Sequence, residues 1–422
     1  MKDGDSGKGA NGMSEFLRNL EKYAELAVKV GVNIQPGQTL VINTTTDSTE
    51  FVRNVVKKAY EAGAANVIVN WTDDVVSRLK YDLAPDEAFN EYPKWRAKET
   101  EELAETGAAF MSIVSSSPDL LKGVDPKRIA NYQKAAGKAL SKYRQYIQSD
   151  KVSWTVIAAA SDAWAEKVFP DASPETRVEK LWEAIFNATR VDTDNPVEAW
   201  KKHDANLHEK VAYLNKKRYK KLHYKAPGTD LTIELPDKHL WVGAGSVNEQ
   251  GVEFMANMPT EEVFTVPLKT GVNGVVSSTK PLSYGGNIID NFSLTFENGR
   301  IVDVKAETGE EILKHLIETD EGSHYLGEVA LVPYESPISQ SNILFYNTLF
   351  DENASNHLAI GSAYAFCLEG GKTMTQEELK KNGLNESITH VDFMIGSAKM
   401  DIDGITADGK SEPVFRKGNW AF

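Results

Sequence analysis

The chain has 422 residues, too many for one ordinary core at the usual ~100–200 residues per domain, and two domains are expected. Its 41% hydrophobic and 26% charged residues are normal for a globular protein, and no window approaches the roughly 20 uninterrupted apolar residues of a membrane helix. A net charge of −14 argues against nucleic acid as a partner, because phosphate binding rewards basic patches.

Residues 1–12 are rich in Gly, Lys and Asp, lack the apolar core of a signal peptide, and read as a disordered extension or expression remnant. Helical periodicity then runs from Ser14 to Val32. A short apolar strand, Thr39 to Asn43, follows the Pro36-Gly37 turn, and Phe51 to Ala62 is helical. Three more apolar runs, Asn66 to Trp71, Ala109 to Val114 and Ser153 to Ala158, read as buried strands separated by helices. That pattern predicts a parallel sheet covered on both faces, an α/β domain over residues 13–225.

Pro174 to Lys225 reads as charged helix ending in the basic run Lys216 to Lys221, a solvated face rather than a nucleic-acid site. After Pro227-Gly228 the character changes to short strands, Leu231 to Leu235, Ser293 to Phe296, Ile301 to Val304 and Val329 to Val332. Asn298-Gly299 signals a hairpin whose two turn residues need positive φ. Residues 226–422 are thus expected to form a mostly β, α+β domain.

The single cysteine, Cys367, excludes an internal disulfide and suits a reducing cytoplasm; its apolar flanks predict a buried small side chain rather than a nucleophile. Several standard motifs are absent. His208-Glu209 lacks the second histidine of H-E-x-x-H, Gly371-Lys372-Thr373 has Phe366 where a phosphate loop needs Gly, and Gly243-Ala244-Gly245 is followed by Asn248 instead of Gly. No G-x-S-x-G elbow occurs.

What remains is a set of acids and histidines in apolar or turn-rich contexts: Glu262, Glu328, His357, His390 and Asp392. In an extended strand His390 and Asp392 point the same way while Val391 and Phe393 point the other, so one strand can offer two ligands to one ion. Five such groups suit first-row divalent ions and are too many for one catalytic zinc, which keeps about three protein ligands and an open position. Taken singly, each has a plainer reading. Glu328 could be a strand-end carboxylate, His357 a hydrogen-bonded structural histidine and Tyr364 core packing, with Glu261 the exposed neighbour of Glu262. Asp401 and Asp403 read as turn formers. Of the other histidines, His203, His208, His223, His239 and His315 are assigned solvent-facing or capping roles, and His324 is a rival ligand four residues before Glu328.

Quoted whole, the segments Asn257 to Thr265, Gly327 to Val332, Phe350 to His357 and Thr389 to Phe393, in this order, resemble the aminopeptidase T and aminopeptidase S family of metallo-aminopeptidases over nearly all of residues 13–422. The resemblance implies an α/β N-terminal domain, a C-terminal catalytic domain, a homodimer, and two divalent ions, zinc or cobalt, with magnesium and manganese as further candidates. It implies Glu262, Glu328, His357, His390 and Asp392 as ligands, with Tyr364 beside the metals. Glu352 also matches the family motif, as a ligand, a base or a loop support. The expected reaction is hydrolysis of the first peptide bond of peptides with a free N-terminus by a metal-activated water. Glu328 would bridge, Glu262 and His357 would serve one ion and His390 and Asp392 the other. Glu352 would accept a proton and Tyr364 donate to the oxyanion. A dipeptidase or amidase with the same ion chemistry, and a non-catalytic ligand-binding protein, are the alternatives.

Overall fold

The computed structural model describes residues 6–285 and 287–422, and the chain divides into two compact units. One runs to His203 and takes in Gly245–Pro259; the other comprises Asp204–Ala244 and Thr260–Phe422, so the division falls inside the helix Pro196–Lys217. Of the extension expected over 1–12, residues 1–5 lie outside the described residues, and from Ser6 the chain is helical to Leu26.

The first unit carries four parallel strands, β1 (Thr39–Thr45), β2 (Asn66–Thr72), β3 (Ala109–Val114) and β4 (Trp154–Ala158), in the order β2-β1-β3-β4. This is the α/β architecture expected from apolar runs separated by helices. Around Tyr23, Phe51, Trp182 and Phe186 the helices pack an aromatic cluster, and the Tyr23 hydroxyl donates to Ala158 O on β4 at 2.6 Å. One expectation fails. β2 is not a buried strand, because among the described residues it pairs only with β1 and forms the sheet edge, where Asn70, Trp71 and Thr72 stay exposed. Apolar composition alone does not separate an edge strand from a central one.

The second unit is mostly β. A nine-stranded antiparallel sheet includes the hairpin Asn287–Glu297/Arg300–Thr308, whose turn residues Asn298 and Gly299 have φ of 50° and 87°, as expected. The charged helix ends at Lys217, not Lys225, since Lys221–Ala226 is a strand of this sheet. Within the basic run Lys217 pairs with Glu412 at 2.7 Å, Arg218 with Glu369 at 3.3 Å and Lys220 with Asp237 at 2.6 Å, so its charge is balanced locally. Asp401 and Asp403 do not form a turn. They alternate with buried Ile402 and Gly404 along the strand Asp401–Ile405, and the Asp-Gly content that suggested a turn is overridden by pairing on both sides.

A second sheet of five antiparallel strands positions the acids and histidines: β5 (Val242–Gly243), β6 (Val263–Thr265), β7 (Leu326–Leu331), β8 (His357–Gly361) and β9 (His390–Met394), adjacent in that order. One face supplies Val263, Val329, Leu331, Leu358, Ile360 and Phe393 to the main core of this unit. The period of two then turns the intervening residues to the other face. Among the described residues no helix is long and apolar enough to cross a membrane.

Candidate metal centre

The non-core face of this sheet gathers residues from four consecutive strands. Glu262 stands immediately before β6, Glu328 lies in β7, His357 opens β8, and His390 and Asp392 lie two apart on β9. Glu328 faces Ala359 across the ladder and Ala359 faces Asp392, while His357 faces Ala330. The small side chains Ala330 and Ala359 between the larger groups leave the face open.

Strand alternation alone would put Leu326 and Glu328 on the same face. The ladder slips between them, so that Leu326 enters the core and Glu328 turns to the opposite side. Gly327 makes this bulge possible: a Cβ there would lie 2.2 Å from Gly361 O and 2.3 Å from Ser362 O.

The polar atoms converge in two sets. His357 Nε2 lies 3.2 Å from Glu262 Oε2 and 3.4 Å from Glu328 Oε1; His390 Nε2 lies 3.2 Å from Glu328 Oε2 and 3.5 Å from Asp392 Oδ1. Ligand atoms of Glu262, Glu328 and His357 all fall within 4.8 Å of one another, as do those of Glu328, His390 and Asp392. Glu328 belongs to both sets and gives one oxygen to each. These short separations are not all hydrogen bonds. Glu262 Oε2, His357 Nε2 and Asp392 Oδ1 are buried with no hydrogen-bond partner of acceptable geometry. Buried polar atoms seldom stay unsatisfied, and here three lone-pair donors aimed at shared spaces fit divalent cations better than they fit one another.

Both imidazoles are oriented from behind. His357 Nδ1 donates to Ser355 O at 3.0 Å and His390 Nδ1 to Ser362 O at 2.9 Å, which leaves each Nε2 lone pair facing the cluster. Asn356 Oδ1 accepts from Val332 N at 2.8 Å and Asn356 O from Ile395 N at 2.9 Å, tying the start of β8 to the ends of β7 and β9. The backbone carbonyls of Ser355 and Ser362 leave no mark in the sequence.

Without a cation the charges compensate each other. Burial opposes ionisation of Glu328, but the imidazoles of His357 and His390 outweigh it and hold the carboxyl at about 2. Burial likewise disfavours a charged His390, yet Asp392 and Glu328 push its imidazolium up to about 10. Burial and the nearby Glu328 raise Glu262 to about 7, its contact with His357 offsetting only part of this. Glu352 is held well above the usual carboxylate range by burial and by the charges of Glu262 and Asp392, and it belongs to neither ligand set. The Tyr364 ring packs 4.8 Å from the His390 ring and stacks on Phe366 at 5.1 Å; it is 40% exposed rather than core. Burial and the surrounding carboxylates raise its hydroxyl, which stays protonated.

Other expectations sort clearly. Cys367 is fully buried beside Val266 and Leu368, and burial pushes its thiol up. Glu261 is not exposed but 2% accessible, since its backbone N–H donates to Asn353 Oδ1 at 2.8 Å and draws it inside. His239 is buried, not solvent-facing, with Nδ1 donating to Pro236 O at 2.7 Å. His324 faces Glu318 at 3.7 Å and joins neither ligand set.

A partly buried cluster of carboxylates and imidazoles with unsatisfied lone pairs, set on one face of a sheet, is a candidate metal centre of the kind a metal-dependent hydrolase requires. A sequence profile of the thermophilic metalloproteases, M29, matches residues 16–420. Aminopeptidase AmpS of Bacillus subtilis is 74% identical over 410 residues, covering 97% of this chain and 100% of that one. Aminopeptidase T of Thermus thermophilus is 43% identical over 408 residues, covering 97% and 100%. The solved structure of wild-type AmpT from Thermus thermophilus superimposes with a TM-score of 0.90 at 43% identity, over 96% of this chain and 100% of that one. The chain belongs to the thermophilic metalloprotease family, M29, and is a metal-dependent peptidase.

Proposed function

We propose that this enzyme, a metallo-aminopeptidase, removes the first residue of peptides with a free amino terminus by means of two divalent cations that share Glu328. The observation that carries the two-cation reading is the pair of three-residue ligand sets with that one carboxylate in common. Glu262 and His357 would complete one site and His390 and Asp392 the other. Mixed carboxylate and imidazole donors suit zinc or cobalt, with magnesium and manganese favoured less by the imidazoles. When bound, such a pair supplies Lewis acidity that polarises the scissile carbonyl and brings a water toward neutral pKa.

The remaining steps fall to side chains of this chain. Glu352, half-buried beside the ligand sets, takes the proton of the attacking water. The Tyr364 hydroxyl, held protonated, donates to the oxyanion as the carbonyl becomes tetrahedral. Tyr364→Phe is expected to lower kcat about 10²–10³-fold with KM nearly unchanged, because that bond forms only as charge develops. An equal rise in KM would assign the hydroxyl to substrate binding instead.

Dialysis against a chelator, followed by zinc or cobalt, tests the whole reading. Activity on amino-acid p-nitroanilides should vanish and return with two equivalents per subunit, and N-acetylated substrates should stay uncleaved. Hydrolysis of the acetylated series would replace the aminopeptidase by a broader amidase. Two further readings accompany this one. A homodimer would cover the exposed apolar stripe Val75, Val76, Leu79 and Leu83 of the helix Asp74–Leu83, and sedimentation at graded salt measures it. A fold with one cysteine, buried, suits the reducing cytoplasm.

A further inference from the structure

Glu262, Glu352 and Tyr364 are the groups of the site that stand outside the ladder pairs, and the first two share a brace. Glu262 precedes β6, whose pairing begins at Val263, and Glu352 closes the short helix Thr348–Asp351. One buried amide joins the segments that carry them. Asn353, 1% exposed, accepts from Glu261 N at 2.8 Å through Oδ1 and donates from Nδ2 to Leu349 O at 2.9 Å. Its first bond fixes the Thr260–Glu261 peptide, one residue before Glu262, and its second closes the turn that presents Glu352. The same turn is braced by Asp351, whose carboxylate oxygens accept from Phe345 N at 2.8 Å and Asn347 N at 3.1 Å. The Asn353 bond to Glu261 N links that braced turn to the segment that leads into Glu262 and β6.

We propose that Asn353 is a positioning residue that sets the spacing between the proton acceptor Glu352 and the cation half-site of Glu262 and His357. This rests on the two-cation reading above. An amide suits the task because it offers an acceptor on one side and a donor on the other, both used here, without adding charge to an already acidic cavity.

Cobalt titration of the metal-free full chain, followed by its visible absorption, tests the assignment. In wild type two equivalents per subunit are expected; fewer would refute the two-cation reading before any variant is compared. In Asn353→Ala one equivalent should bind about 10–100-fold more weakly, the scale for a residue that orients a ligand, while the His390–Asp392 equivalent keeps its affinity. kcat should fall with KM held. Asn353→Asp, which keeps an oxygen for Glu261 N but loses the donor to Leu349 O and adds charge, should restore the weakened equivalent only in part. Should Asn353→Ala fail to fold, Asn353→Leu, of similar size and without an acceptor, carries the same expectations. Wild-type cobalt binding and kcat in the folded alanine or leucine variant would overturn the proposal. So would equal weakening of both equivalents, or failure of both variants to fold, since either marks a general structural role.

Discussion

Replacing Glu328 with alanine is expected to abolish binding of both cations and to reduce peptide hydrolysis to the uncatalysed background. The asymmetry with its neighbours is the point. Glu328 Oε1 lies 3.4 Å from His357 Nε2 and its Oε2 lies 3.2 Å from His390 Nε2, so this one side chain belongs to each ligand set. Glu262→Ala should cost the His357 site alone, leaving one equivalent on Glu328, His390 and Asp392. Metal analysis per subunit would then read two, one and none for wild type, Glu262→Ala and Glu328→Ala; a Glu328→Ala protein that keeps two cations refutes the bridge. Cation binding should also release protons. In the cation-free site His390 holds its proton up to about 10 and Glu262 up to about 7, and a cation must displace both. Affinity therefore rises with pH across the neutral range, and titration in weak buffer should show acid released on mixing.

The parts of this site that the sequence discloses are those set by local geometry. His390 and Asp392 share a face because they lie two apart in a strand, and the observed strand His390–Met394 keeps that relation. Glu328 is different. Counting by twos from Leu326 would place it in the core, and only the slip at Gly327, a residue chosen by contact with the distant Gly361 and Ser362 carbonyls, turns it to the site. Adjacency of four strands drawn from residues 262–394 is likewise a tertiary fact without a local signature; the order of motifs shared with a family discloses it, periodicity does not. The same limit explains the errors. β2 has the composition of a central strand but lies at an edge, and Asp401 and Asp403 have the composition of a turn but are held between two partner strands. Asn353 and Asn356 stand in a turn and bend that the structure holds inside the protein, and nothing in the sequence separates such a buried amide from an exposed turn amide.

Glu352→Gln is expected to lower kcat about 10²–10⁴-fold, the usual worth of a positioned general base, with KM and both cations retained. The substitution keeps shape and removes only the capacity to take a proton. In the cation-free protein burial and the charges of Glu262 and Asp392 keep the Glu352 carboxyl protonated well above its ordinary range, so exchanging a neutral acid for a neutral amide should leave the thermal midpoint of the cation-free chain unchanged. Divalent charge in the neighbouring sites reverses that repulsion and favours the carboxylate that catalysis needs. The three roles open to this residue then separate in one variant. Loss of a cation equivalent would make Glu352 a ligand, although it falls outside both ligand sets. A lowered midpoint without cations would make it a support of the loop. A fall in kcat alone, with cobalt binding and midpoint both at wild-type values, leaves proton transfer as the step the side chain performs.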